Sequence, residues 1–290
     1  MFKQTKVWLA LVITLTLLGA MAACGGSKTD DNTPTPVATG TKPVPADAGT
    51  ISGVISFTGT PVPNKKIDTS ADPVCGQKNP NLTTEENVVA NGKLANVFVY
   101  IKDGAAADGT KLDGYAWTGG SGTLDQNGCH YRPHVMGVMT GQKLTITNSD
   151  PTQHNIHPTP ANNPEWNQTQ PNGAAPIEKT FKQVEVLIPV KCNQHPWMKA
   201  YIAVLKHPLF AVSAEDGTFT IKNVPAGTYT VAAWHEGGAK GTEKTMQVTV
   251  AANGTGKADF AFGEAAATAS AQSGLEMMPA LEIPVVGGRH

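Results

Sequence analysis

Glu185-Val186-Leu187-Ile188-Pro189-Val190 runs into Cys192-Asn193-Gln194-His195-Pro196-Trp197-Met198, and Ala200-Tyr201-Ile202-Ala203-Val204 follows at once. Two short apolar runs rich in β-branched residues predict strands, and the polar stretch between them predicts the loop that joins them. The same texture extends outward. Lys143-Leu144-Thr145-Ile146-Thr147 alternates and stops at Asn148-Ser149-Asp150, and Val97-Phe98-Val99-Tyr100-Ile101 reads as a buried strand closed by Asp103-Gly104. Further back, Ile51, Val54, Ile55 and Phe57 precede the turn Thr58-Gly59-Thr60-Pro61. Short strands about 8–12 residues apart with turn signals between them predict an all-β sandwich, and no segment carries a sustained helical period. Composition agrees: among 290 residues there are 30 Gly and 21 Pro, 16% are charged, and the net charge is −1. Such a chain favours strands and turns and lacks the basic excess of a nucleic-acid binder, so no nucleic-acid partner is expected.

The ends read differently. Residues 1–23 carry Lys3 and Lys6, an apolar run from Val7 to Leu18, and the small-residue stretch Gly19-Ala20-Met21-Ala22-Ala23. This is the pattern of a secretory signal, and its apolar run is shorter than the ~20 residues a membrane-spanning helix needs. Met21-Ala22-Ala23-Cys24 resembles the bacterial lipobox, which implies a lipid anchor at Cys24, with ordinary cleavage and a free Cys24 as the alternative. Residues 24–49 contain almost no large apolar side chains and are expected to form a flexible tether. Residues 264–290 read as a mostly disordered tail, in which Leu275, Met277, Met278, Leu281 and Ile283 offer apolar groups to dock on a sheet.

The loop at 192–198 puts a thiolate, an imidazole and a thioether within seven residues, and His154 lies just after the strand ending near Thr147. Two imidazoles, one thiolate and one weak thioether form the ligand set of a blue-copper electron-transfer site. Here the sequence resembles the cupredoxin family, most closely its amicyanin-like members. Their C-x-x-H-x-x-M loop matches Cys192, His195 and Met198, and their upstream His-Asn pair matches His154-Asn155. Tyr131-x-Pro133 and Gly141-Gln142-Lys143-Leu144 also sit where that family has theirs. The resemblance covers residues 125–207 firmly and reaches back to Gly49 loosely. It implies a Greek-key cupredoxin sandwich over residues 50–207 with one type 1 copper held by His154, Cys192, His195 and Met198. It also implies a supporting role for Asn155, whose backbone N–H points at the sulfur and whose side chain ties the two ligand loops. Gln194 departs from the Pro common at that position; it keeps an N–H and is expected to give the thiolate a second hydrogen bond. Pro196 and Trp197 flank His195, whose exposed imidazole edge the family uses as the electron-entry surface.

Neither a His-x-His nor a His-Cys-His pair occurs, and no second Cys stands four residues from Cys192. Multicopper catalysis and a binuclear copper site are therefore not expected, nor is an enzymatic role. His130, His134 and His157 are read as loop residues near the rim, with a second metal site among them left open. Cys75 and Cys129 both sit in turn-like contexts, and in an oxidising compartment they are the natural disulfide pair. A bridge between them closes a loop of just over fifty residues.

Past His207 the pattern changes. Phe210-Ala211-Val212-Ser213-Ala214-Glu215-Asp216-Gly217-Thr218-Phe219-Thr220-Ile221 predicts strand, Asp-Gly hairpin and strand, and Asn223 to Val231 adds a turn and another strand. This part, residues 208–262, resembles the transthyretin-like, carboxypeptidase-regulatory type of β-sandwich. That module's usual first strand is missing here but stands upstream at Gly49–Pro61, so residues 49–63 are a candidate for it. Two layouts stay open: two sandwiches in series, or a cupredoxin segment inserted in the other module. The reading that results is a lipid-anchored, mononuclear copper protein carrying single electrons to an unidentified redox partner, on the periplasmic or outer side of a bacterial membrane. The alternatives are copper delivery without redox duty and a structural surface domain.

Overall fold

The computed structural model describes residues 40–119, 122–237 and 241–263. The expected signal segment, Cys24, most of the expected tether and residues 264–290 lie outside the described residues. From the N-terminal side come β1 (Gly49–Phe57), a short helix α1 (Pro73–Lys78), β2 (Val89–Ala90), β3 (Lys93–Leu94) and β4 (Phe98–Ala106). Nine strands follow: β5 (Gly122–Gln126), β6 (Tyr131–Arg132), β7 (Val135–Met139), β8 (Leu144–Asn148), β9 (His154–Pro158), β10 (Gln168–Gln170), β11 (Ile177–Lys179), β12 (Glu185–Lys191) and β13 (Lys199–Leu205). The chain closes with β14 (Phe210–Val212), β15 (Thr218–Val224), β16 (Gly227–His235), β17 (Thr242–Val250), β18 (Thr255–Lys257) and β19 (Phe260–Phe262). The protein is all-β, built as more than one sandwich.

Pairing assigns the strands to two bodies. β5 to β13 form an inner sandwich of two sheets, ordered β10-β9-β12-β13-β7 and β11-β8-β5-β6. The outer sandwich draws on both ends of the chain. β1 pairs antiparallel with β15 and β3 and parallel with β18 and β19, while β4 lies between β14 and β16 in the sheet β14-β4-β16-β17. By pairing, residues 49–57 and 89–106 thus belong with 210–262, and the expected boundaries of 50–207 and 208–262 do not follow the sheets. In sequence, the strands of the inner sandwich lie between β4 and β14 of the outer one.

Local sequence explains several details. Ile51 and Ile55 alternate inward on β1 with Gly53 between them on the same face. A Cβ at Gly53 would stand 1.9 Å from the Ala258 carbonyl oxygen, so the close approach needs glycine. β4 continues through Asp103-Gly104 instead of stopping there, because a register shift opposite Thr230–Val231 and a φ of +127° at Gly104 carry the chain onward. The Asp216-Gly217 turn forms, with Gly217 N–H donating to Ala214 O at 2.8 Å. Its flanking strands nevertheless join different sheets, β14 with β4 and β15 with β1, in place of the expected hairpin. The end of the tether is pinned: Gly40 and Lys42 donate to Asp113 O and Gly114 O, and Val44 packs on the outer core.

Each sandwich has its own core. Ile51, Val99, Tyr229 and Val231 belong to the outer one and Leu124, Tyr131, Ile146 and Ile202 to the inner. A third cluster joins them, in which Phe98, Tyr100 and Ala232 of the outer sheet meet Val135, Leu187, Ala203 and Leu205 of the inner. Burying a Phe or Leu side chain contributes about 1.5–3 kcal/mol, so this seam holds the two bodies firmly.

Candidate metal centre

A bulge prepares the site. The register between β12 and β13 shifts between Glu185 and Ile188, and Leu187 takes a φ of +65°. Leu187 then turns to the seam between the sandwiches, while Ile188, Val190 and Cys192 fall in succession on the inner core. Bulges commonly re-aim side chains beside functional sites. After Cys192 the loop closes tightly: Met198 N–H donates to His195 O at 2.9 Å and Cys192 N–H to Met198 O at 3.3 Å. Cys192, His195 and Met198 are all buried, and Cys192 and Met198 share the inner core cluster. His154, at the start of β9, is fully buried beside them.

The donor atoms converge. His154 Nδ1 and His195 Nδ1 are 2.9 Å apart, and Cys192 Sγ is 3.8 Å from His195 Nδ1. Ligand atoms of these three residues all lie within 4.8 Å of one another. Burial pushes the Cys192 thiol up, but hydrogen bonding from His154, His195 and the backbone N–H groups of Asn155 and His195 outweighs it and brings the pKa to about 6. Burial likewise opposes charge on His154, yet its bonds to Asp150 and Cys192 raise it to about 8. Soft sulfur and borderline nitrogen, buried and aimed at one point, suit a copper ion.

Asn155 stands beside this group. Its Oδ1 accepts Asn193 N–H at 2.8 Å and faces Cys192 Sγ at 3.3 Å, and its Nδ2 donates to Asn167. Tyr131 donates its hydroxyl to Asn155 O and Lys191 O, bracing the ends of β9 and β12. Two expectations are corrected. Gln194 is exposed, and the loop's N–H toward the sulfur is that of His195, because the turn closed by Met198 presents that amide. His195 has no exposed edge. It is 3% accessible, since α1 covers it with Asp72 and with Cys75, whose Sγ lies 3.9 Å from His195 Nε2. Pro196 is exposed, while Trp197 is half-buried, with its ring 5.0 Å from that of His195 and its Nε1 donating to Cys129 O.

Cys75 and Cys129 form a disulfide. His130 and His134 gather at Glu85, 3.4 and 3.7 Å away, and His134 also pairs with Glu236. His157 is elsewhere, between Asn193 and Glu165. Among the described residues none of these three histidines joins a group of three converging ligand atoms.

Sequence reasoning missed two residues. Asp72 Oδ2 is 3.0 Å from His195 Nε2, and Asp150 Oδ2 is 3.0 Å from His154 Nε2. Asp72-Pro73 opens α1, with the Asp72 side chain capping Val74 N–H. Nothing local tells that the same carboxylate reaches an imidazole 123 residues away.

A family model described as polysaccharide lyase family 4, domain II, matches residues 201–258. No curated protein matches. Among solved structures, the copper-containing nitrite reductase of Thermus scotoductus is 21% identical, with 34% of this chain and 25% of that one covered and a TM-score of 0.27. The match thus spans a quarter of the reductase's length. A purple cupredoxin from Nitrosopumilus maritimus is 21% identical over 29% of this chain and 98% of that one, with a TM-score of 0.25. An oxidised amicyanin mutant is 18% identical over 37% and 97%, with a TM-score of 0.27.

Proposed function

We propose that this chain is a mononuclear type 1 copper protein that carries single electrons, anchored by a lipid at Cys24 in a bacterial cell envelope and facing the periplasm or exterior. The observation that carries this reading is the buried convergence of His154 Nδ1, His195 Nδ1 and Cys192 Sγ, with Met198 in the same core cluster as Cys192. Bound there, copper would supply reversible one-electron chemistry between Cu(II) and Cu(I). The protein's part is to hold the ligands still. Asn155 ties the loop of Cys192 to β9, Tyr131 locks both strand ends, and the Met198–His195 turn fixes the spacing of the three loop ligands. Ligands that cannot move between oxidation states keep the barrier to electron transfer low. Copper delivery fits less well, because transfer to a partner needs an accessible ligand and His154, Cys192, His195 and Met198 are all covered. The anchor and the compartment in this proposal are read from the sequence pattern of residues 1–24.

The test is to add Cu(II) to the mature chain and record the visible spectrum. An intense thiolate-to-copper band at one equivalent, abolished in Cys192→Ser, is the expected result. A colourless complex, or no binding, would overturn the proposal.

A further inference from the structure

Both imidazoles are hydrogen-bonded at their outer nitrogens by carboxylates. His154 Nε2 meets Asp150 Oδ2 at 3.0 Å and His195 Nε2 meets Asp72 Oδ2 at 3.0 Å. An ionised carboxylate only accepts, so each Nε2 carries a proton, and on a neutral imidazole Nδ1 then holds the lone pair. Those two lone pairs face each other across 2.9 Å beside the Cys192 sulfur. Without a cation or a shared proton between them the arrangement is repulsive, so the carboxylates set up a demand for positive charge at that point.

The carboxylates are themselves fixed. Asp150 is fully buried and accepts the N–H groups of Gly128 and Cys129 at 2.8 and 2.7 Å, with Lys78 Nζ 3.7 Å away. Asp72 accepts the Thr152 hydroxyl at 2.8 Å and Val74 N–H at 3.0 Å. The Cys75–Cys129 disulfide joins the two supports, since Cys75 is in the helix that Asp72 caps and Cys129 supplies an N–H to Asp150.

We propose that Asp72 and Asp150 are the positioning residues of the metal centre. They fix both imidazoles in the tautomer that turns Nδ1 inward, and their two negative charges, stapled in place by the disulfide, favour the more highly charged oxidation state of the metal. This rests on the copper reading above. Partners of this kind orient a ligating imidazole and raise its basicity.

The experiment compares wild type with Asp72→Asn and Asp150→Asn, each of which keeps an acceptor oxygen but removes the charge. Loss of such a partner typically costs 10–100-fold in metal affinity. We expect Cu(II) binding to weaken about tenfold while Cu(I) binding changes less, which raises the reduction potential by up to about 59 mV, the one-electron equivalent of tenfold. Folded Asn variants with unchanged potential and unchanged Cu(II) affinity would overturn the proposal. Asp150→Asn risks misfolding because its carboxylate is buried, so a second measurement needs neither variant nor copper. Nitrogen-15 NMR of the metal-free wild type above pH 8, where His154 is neutral, should show protons on the Nε2 atoms of His154 and His195, and Nδ1–H tautomers at both would refute it. A wild type without the charge-transfer band defeats the copper reading alone, and the tautomer result then decides this one.

Discussion

Cys192 is held near pKa 6 in the metal-free protein, although burial alone would push it up, because His154, His195 and two backbone N–H groups all favour the thiolate. The thiolate therefore predominates at neutral pH, whereas an ordinary cysteine is mostly protonated there. In the metal-free chain, the ultraviolet thiolate absorbance should rise with a midpoint near pH 6. In His154→Gln that midpoint should move up by about one pH unit or more, since a charge-stabilising partner is lost. An unmoved midpoint would show that His154 does not support the thiolate. At this scale the sequence was informative where chemistry is local. Cys192, His195 and Met198 fall within one loop, so their spacing reports their meeting. Asp72 and Asp150 were not legible as partners, because a carboxylate's role here depends on what the folded chain brings to it.

At the scale of elements, the strands at 97–101, 143–147, 185–190 and 200–204 were legible from alternation and β-branched content, which depend only on neighbours. α1 was not: at six residues it is too short for a helical period, and only its Asp-Pro start and its disulfide mark it. The bulge at Leu187 was equally hidden, since what places it is the pairing of β12 with β13. α1 depends on its tether. Cys75 and Cys129 are separated by 54 residues, and cross-linking a loop of that size removes about 4 kcal/mol of unfolded-state entropy. The Cys75→Ala/Cys129→Ala double variant is expected to lose stability of that order in equilibrium denaturation. A loss under about 1 kcal/mol would mean that α1 is held by its other contacts.

Over the whole molecule, the sequence already contained both layouts, in series and inserted, and could not choose between them because β1 is alike in either. The choice lies in long-range pairing, β1 with β15 and β4 with β16. The assembled body also sets an acid limit. Burial lowers His130 and His207 to about 4, while the unfolded chain takes up a proton at each near 6.5. Between those values the unfolded state binds more protons, so stability falls as pH drops from 6.5 toward 4. The slope is up to about 1.4 kcal/mol per pH unit for each imidazole. Denaturant midpoints that stay flat across this interval would contradict it. The insertion has a further consequence in time, because a polypeptide is made from its N-terminus. Among the described residues, β1 has one bridge to β3 and otherwise pairs only with strands of residues 218–262. Every residue from Asp72 to Met198 is complete before those strands are made. Among the described strands the one made first is the last to complete its pairing, after every residue of the candidate metal centre has been synthesised.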